Sequence, residues 1–370
     1  MQKSGFLSYP ELLSNPDCIR NAFRASGRRH LLLTGGRGSG KTTLLSKLLS
    51  PSVPGITTFA VPKEAVYLQD NQTKEVIRIG RFDGSLPGAE NKMRPLPEGF
   101  HTLGILALKR CMESESEWVS IDEIGYLESG CPQYRETILR VMERKRLIAA
   151  VRRQELPFLS DLCRREDVFL LDLDAPFGNS GCVIMASGLG SRFGCNKLMA
   201  DFYKVPMIRR IFDATGGIFR RRVTVTRHRD VQELCVSLGI PVVYHELPFR
   251  SDTVRLGLQA IGSDADSCMF CPGDQPLLRR DTIISLALGA AGKKDAIWRP
   301  AYEGTPGSPV VFPRWSFPQL LTLPEGKGGS YVAKQHPGQV RFLPVKDPME
   351  LMDADTPEDL KTLLGHYQTE

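Results

Sequence analysis

Two short glycine-rich stretches hold the residues whose types and spacing suit phosphate chemistry. GGRGSGKTT, Gly35 to Thr43, satisfies G-x-x-x-x-G-K-[ST] at every fixed position from Gly35 to Thr42. Gly35, Gly38 and Gly40 let backbone N–H groups turn toward phosphate oxygens. Lys41 neutralises the β and γ phosphates, and the Thr42 hydroxyl, with Thr43 beside it at the helix start, meets Mg²⁺. ASGLGSRFGCNK, Ala186 to Lys197, carries three glycines, an arginine and a lysine but no GK[ST]. Gly188, Gly190 and Gly194 give G-x-G-x-x-x-G, which is too loose a match to specify a dinucleotide fold.

Carboxylates accompany both loops. WVSIDEIG, Trp118 to Gly125, reads as an apolar strand ending in Asp122 and Glu123. Beside a phosphate loop, Asp122 is placed to hold Mg²⁺ and Glu123 to orient or deprotonate an attacking water. SCMFCPGD, Ser267 to Asp274, is a second buried-strand pattern with a terminal carboxylate, and Asp353 and Asp355 form a D-x-D near the end of the chain. Asp355-Thr-Pro-Glu also reads as a helix N-cap with proline early in the helix, so capping alone accounts for Asp355 equally well. Asp274 has a turn-forming alternative, and Arg192 and Lys197 have a solvated-charge alternative.

The elements around these residues are short apolar strands alternating with helical patterns, as in α/β folds with a largely parallel sheet. HLLLT runs into the first loop and KTTLLSKLLS leaves it; CVIMA runs into the second. DAPFGNSG, Asp174 to Gly181, breaks the chain between them. The expected organisation is a helical lead-in over 1–28, a first domain over 29–175, a linker over 176–180 and a second domain over 181–370. A length of 370 residues accommodates two domains.

The net charge of +6 is modest, and basic residues within the loops favour small phosphate ligands over nucleic acid. No apolar run reaches the ~18 residues of a membrane span. Nine scattered cysteines suit a reducing compartment, with cytoplasm the default. Cys268 and Cys271 form a CxxC on a strand, where positions three apart face opposite ways, which argues against a shared metal.

The order of P-loop, IDEIGYLES, helix and closing PFLSDLCRREDVFLLDLD resembles the small P-loop nucleoside-triphosphatases known from thermophiles and, in animals, as cancer-related nucleoside-triphosphatases. The likeness covers roughly residues 29 to 174. It implies a three-layer P-loop fold and hydrolysis of ATP or another NTP. Where that family has His-Arg after a strand, this chain has AAVRRQ, making Arg152 and Arg153 the candidates for sensing γ-phosphate charge.

The segment VIMASGLGSRFGCNKLMADFYKVPMI resembles the start of MobA-like nucleotidyltransferases. CMFCPGDQPLLRRDTI, GTPGSPVVFP, EGKGGSYV and LMDADTPEDL follow in that family's order, together covering nearly all of residues 181 to 362. The implied fold is Rossmann-like with a mostly parallel sheet. HPGQVRFLPVKDP, GDQP and the D-x-D-T-P-E-D-L close are most similar to the branch that transfers CMP to the molybdopterin of molybdenum hydroxylases. Ala186 and Ser187, where the guanylyl branch tends to have two glycines, tilt the donor toward CTP rather than GTP.

The resemblance and the chemistry together assign roles. In nucleotidyl transfer a substrate phosphate attacks the α-phosphorus and pyrophosphate departs, so cations and backbone donors must meet there. Ala186, Ser187, Gly188 and Gly190 would approach the nucleotide. Arg192 and Lys197 would sit over the triphosphate, and Asp274 would hold Mg²⁺, with Asp355 or Asp353 as the second carboxylate. Departures from the family pattern at Tyr203-Lys204-Val205-Pro206 and in YHELPFRSDTVRLGL leave His245 and Ser251 as ribose or cofactor contacts. The implied partners are a molybdopterin-type substrate and a molybdenum hydroxylase, with neither nucleic acid nor membrane. A cofactor-binding chaperone driven by NTP, or transfer to a sugar phosphate, are the competing readings.

Overall fold

The structure is a computed structural model that describes residues 15–86, 92–190, 193, 194 and 196–367. Contacts divide the chain into two compact units: Gly27–Asp174, and Ala175 onward joined by the lead-in up to Ser26.

The first unit is built on β1 (His30–Gly35), β2 (Gly55–Val61), β3 (Ala65–Asp70), β4 (Val76–Phe82), β5 (Met93–Pro95), β6 (Trp118–Ile124), β7 (Arg146–Arg152) and β8 (Val168–Asp172). They form one sheet in the order β5-β4-β3-β2-β6-β7-β1-β8. From β2 to β8 the strands are parallel, and β3, β4 and β5 extend the sheet antiparallel. HLLLTG and RLIAAVR are nearly continuous apolar runs because strands in the middle of a parallel sheet are covered on both faces. Helix Pro132–Arg144 buries Tyr134, Thr137, Ile138, Val141 and Met142, one stripe at helical spacing. Register does the positioning: Gly35 lies opposite Arg152 and Thr34 opposite Asp172, all at the carboxyl ends of their strands. That edge is where parallel α/β sheets bind ligands.

The second unit has β9 (Ser180–Ala186), β10 (Arg221–Thr226), β11 (Val242–Tyr244), β12 (Ser267–Pro272), β13 (Ile297–Tyr302), β14 (Thr305–Pro306), β15 (Val310–Pro313) and β16 (Val340–Pro344). β11-β10-β9-β12 is parallel throughout. Beyond β12 the sheet is mixed rather than mostly parallel. β15 is antiparallel to β12 and β13, and β13 pairs β14 antiparallel and β16 parallel. One cause is local: Glu303 and Gly304, both at positive φ, make a two-residue hairpin between β13 and β14, and a hairpin imposes antiparallel pairing. Helix Arg250–Ile261 lies close on the sheet, since a Cβ at Gly257 would come within 2.4 Å of Val183.

The lead-in is a helix, Asp17–Ser26, and it belongs to the second unit. It buries Cys18, Ile19, Ala22 and Phe23 on one face, packs on helix Arg280–Gly292, and is fastened by Asn15 Nδ2 donating to Asp281 at 2.6 Å. Cys268 and Cys271 are both buried in β12, with burial holding their thiols far above the usual range. No helix among the described residues is long and apolar enough to cross a membrane.

Candidate active sites

In the first unit, Gly35, Gly38 and Gly40 take positive φ angles of 151°, 76° and 80°. At Gly35 there is also no room for a side chain, because a Cβ would lie 2.6 Å from Ser39 Oγ. Gly40 caps helix Lys41–Leu48, whose amino end supplies unpaired N–H groups and a positive dipole end. Lys41 Nζ folds back onto the loop, donating to the carbonyls of Gly35 and Gly36, each at 2.9 Å, and to Ser39 Oγ at 3.3 Å. Burial, with the guanidiniums of Arg152 and Arg153 adding to it, holds the Lys41 ammonium below the usual lysine range, while Asp174 and Asp122 oppose. Thr43 is exposed in the first turn.

Thr42 Oγ1 donates to Asp122 Oδ1 at 3.0 Å. Asp122 is buried, which pushes its carboxyl up, and the Thr42 hydroxyl and Lys41 pull it back. A buried carboxylate with a hydroxyl on its oxygen is an all-oxygen donor set, and it fits a hard cation such as Mg²⁺.

Glu123 points elsewhere because of a bulge. The pairing of β6 with β7 skips from Asp122 to Ile124, and Glu123 takes φ 121°. A bulge re-aims the extra side chain, here onto Arg152, whose Nε donates to Glu123 Oε1. The two candidate γ-phosphate arginines are both at the loop, and both are already paired. Arg153 bridges Asp172 and Asp174, at 3.0 Å from the latter, and Asp174 Oδ2 accepts the Gly36 N–H at 2.8 Å. Asp172 and Asp174 escaped the sequence reading; the signal was there in LDLD, a strand end alongside β1. Glu128 escaped it too. It is buried, accepts the Gly125 N–H at 2.8 Å, and burial pushes its carboxyl up to about 7.

In the second unit, four parallel strands end together. The residues that follow β9, β10, β11 and β12 therefore converge, among them Ser187, His228, His245 and Asp274. Arg192 lies outside the described residues. Lys197 is only 6% exposed and its ammonium is held between Asp274 Oδ2 at 2.6 Å and Asp355 Oδ1 at 2.7 Å. Burial alone would lower its pKa, but the two carboxylates raise it. A buried ammonium requires such partners, so in this structure Lys197 organises carboxylates rather than standing alone over a triphosphate. Asp353 joins them through Gln275, whose Nε2 donates to Asp353 Oδ1 at 2.9 Å. Although the residue keeps an exposed flank, its carboxyl is raised to about 6, by burial first and then by Asp274 and Asp355, with Gln275 and Lys197 opposing.

Helix capping does not account for Asp355. Thr356 and Asp359 close the cap between them, Asp359 Oδ2 accepting the Thr356 N–H at 2.8 Å and Thr356 Oγ1 accepting the Asp359 N–H at 3.2 Å. The Asp355 side chain faces Lys197 instead. Three carboxylates against one ammonium leave uncompensated negative charge, and their oxygens suit Mg²⁺. No cluster of three or more metal-binding side chains is preassembled among the described residues. Asp274 and Asp355 meet across Lys197.

Ala186 is the last residue of β9, and Ser187 opens the loop, its Oγ 2.8 Å from His245 Nε2. Gly190 and Gly194 turn at positive φ. Ser251 is buried in the first turn of helix Arg250–Ile261. A cavity of about 460 Å³ lined by Arg210, Pro276, Arg280 and Tyr367 contains none of these site residues. Arg280 there is occupied with the carbonyls of Asp213, Ala214 and Gly216.

Comparisons with known proteins agree with this division. Residues 30–176 match the family described as NTPase, and residues 182–340 match the MobA-like NTP transferase domain. The nucleoside-triphosphatase THEP1 of Thermotoga maritima is 25% identical over 167 residues, which is 40% of this chain and 89% of that protein. The probable molybdenum cofactor guanylyltransferase of Aquifex aeolicus is 23% identical over 103 residues, 28% of this chain and 50% of that protein. Among solved structures, Rv0371c from Mycobacterium tuberculosis H37Rv aligns with 50% of this chain and 97% of its own, at 23% identity and a TM-score of 0.45. The chain is a fusion of an NTPase-family domain with a MobA-like NTP transferase domain, a nucleoside-triphosphatase joined to a nucleotidyltransferase.

Proposed function

We propose that the second unit transfers a nucleotidyl group to molybdopterin, and that the first hydrolyses ATP or another NTP in support of the same cofactor's maturation. The observation that carries the reading is the Lys197, Asp274, Asp353 and Asp355 cluster at the carboxyl edge of the parallel strands, beside a glycine loop. A phosphate oxygen of the acceptor forms a bond to the α-phosphorus, the bond from that phosphorus to the β-bridging oxygen breaks, and pyrophosphate leaves with the electron pair. No protein nucleophile takes part. The loop amides from Ser187 to Gly190 face the triphosphate, Arg192 and Lys197 offset its charge, and Asp274 and Asp355 hold Mg²⁺. Bound there, Mg²⁺ supplies positive charge to the α-phosphate and the leaving group. The Ala186-Ser187 pair favours CTP as donor, whereas the Aquifex relative carries the name of a guanylyltransferase, so both donors belong in the assay.

In the first unit Lys41 binds the β and γ phosphates, Thr42 and Asp122 hold Mg²⁺, and Glu123 orients the attacking water once Arg152 turns from it to the γ-phosphate. The product, a nucleotide-bearing cofactor, has a molybdenum hydroxylase as its destination, and the reactions are those of a cytoplasmic protein. The test is pyrophosphate release with Mg²⁺ and molybdopterin, comparing CTP, GTP and ATP beside Asp274→Ala. Release with one nucleotide, lost in the variant, supports the reading. Phosphate release without any pyrophosphate would replace it with a cofactor chaperone or another acceptor.

A further inference from the structure

Three consecutive residues at the start of the second loop are each held by a different side chain from the neighbouring strands. Thr226, the last residue of β10 and fully buried, donates its hydroxyl to the Ala186 carbonyl at 2.9 Å. His245, one residue beyond β11 and 7% exposed, lies with Nε2 2.8 Å from Ser187 Oγ. His228 Nε2 is 2.7 Å from the Gly188 carbonyl.

Donor and acceptor roles follow from the partners. Ser187 Oγ gives its hydrogen to the Val225 carbonyl at 3.1 Å, so toward His245 it accepts. A carbonyl only accepts, so His228 also donates through Nε2. Backbone bonds register the clamping residues in turn: the His245 N–H donates to the Thr226 carbonyl at 3.0 Å, and the His228 N–H to Thr226 Oγ1 at 3.0 Å. Ala186 lies opposite Thr226 across β9 and β10, and Thr226 opposite Tyr244 across β10 and β11. Parallel strands in register thus deliver all three donors to the same short piece of chain.

We infer that Thr226, His228 and His245 are positioning residues that preorganise residues 186–188 for the nucleotide's phosphates. Glycine-rich backbone is free to adopt many conformations, and a loop whose amides must meet phosphate binds more tightly when that freedom is already lost. Burial, and next the Arg227 charge, hold His245 below the usual imidazole range, so near pH 7 it is neutral and donates through Nε2 without placing a buried charge beside the site. The inference rests on the second unit being the nucleotidyltransferase proposed above.

The test uses the full chain with His245→Leu, which removes the donor, His245→Gln, which keeps an N–H, and Thr226→Val, which removes the hydroxyl at equal volume. CTP and GTP with Mg²⁺ are the probes, read by calorimetry and, with molybdopterin added as acceptor, by pyrophosphate release, with hydrogen exchange followed over residues 186–190 in the ligand-free chain. Expected are a rise of about five- to tenfold in Kd and KM with kcat little changed for His245→Leu and Thr226→Val, faster exchange over 186–190, and recovery to about twofold of wild type in His245→Gln. Unchanged exchange and KM in folded variants overturn the clamp. So does a His245→Gln variant that behaves as His245→Leu does while Thr226→Val is silent. A wild-type chain that releases pyrophosphate from neither nucleotide overturns the transferase reading instead, and the exchange measurement still decides the clamp.

Discussion

The two phosphate loops of this chain are held in opposite ways. The first is nearly self-sufficient: its glycines turn within the loop, Lys41 is parked on the loop's own carbonyls, and Gly40 starts the helix that follows. The second takes its order from elsewhere, through Thr226, His228 and His245 at its start and through carboxylates as far along the chain as Asp355 for Lys197. A phosphate loop that closes on itself carries the geometry of its phosphate cradle within nine residues. Loops that lean on a sheet edge distribute it across the domain.

The sharpest way to break this comparison is to remove one central charge from each site. Lys41→Ala should lower phosphate release by about 10³-fold while pyrophosphate release persists, and Asp274→Ala should do the reverse by about 10²–10³-fold. Parallel assays of both products on both variants decide it, and transfer lost in Lys41→Ala at saturating ATP would reveal coupled sites. Next in size is Glu123→Gln, expected to lower kcat for phosphate release about 10²-fold with KM little altered, because it removes the carboxylate that orients water. A change in KM alone would return Glu123 to a merely structural partner of Arg152.

Legibility follows the same contrast. G-x-x-x-x-G-K-T and the apolar strand ending in Asp122 were readable because each is contiguous and its physics local. GDQP and the second loop were readable as segments, but what Lys197 touches was not, since Asp355 is 158 residues away. The cap at Thr356 rather than Asp355 turned on a one-residue choice that only side-chain geometry makes. The outward turn of Glu123 came from a β-bulge, a feature of strand pairing rather than of composition. Thr226 and His228 carried no motif at all; only the register of β9 with β10 brings them to the loop.

Smaller effects sharpen the comparison further. Burial puts the Glu128 carboxyl at about 7 in the folded chain against roughly 4.3 in an unfolded one. Its neutral form is therefore the one the fold prefers, and the associated stability, full below the unfolded value, is lost as pH rises through 7. Glu128→Gln should leave unfolding at pH 4 unchanged and stabilise the first unit at pH 8 by on the order of 2 kcal/mol. Denaturant titrations at both pH values measure it, and equal shifts at both would discard the buried-carboxyl account. Smallest is Thr356→Ala, which removes a cap worth about 1 kcal/mol. It should lower the melting temperature of the second unit and loosen Asp355 without abolishing Lys197 pairing, so pyrophosphate release should fall by less than about threefold.

Helix Asp17–Ser26 lies on the second unit although it precedes the first in the chain. The nucleoside-triphosphatase is therefore an insertion, tethered at both ends to its host. During synthesis it can finish folding while the transferase still waits for residues made last. A nick after Asp174 would leave the two fragments joined only through the packing of helix Asp17–Ser26 on Arg280–Gly292. Cutting the gene at residue 175 would yield a transferase stripped of the helix that covers Arg280–Gly292, and it would expose an apolar face that the intact protein never presents to water.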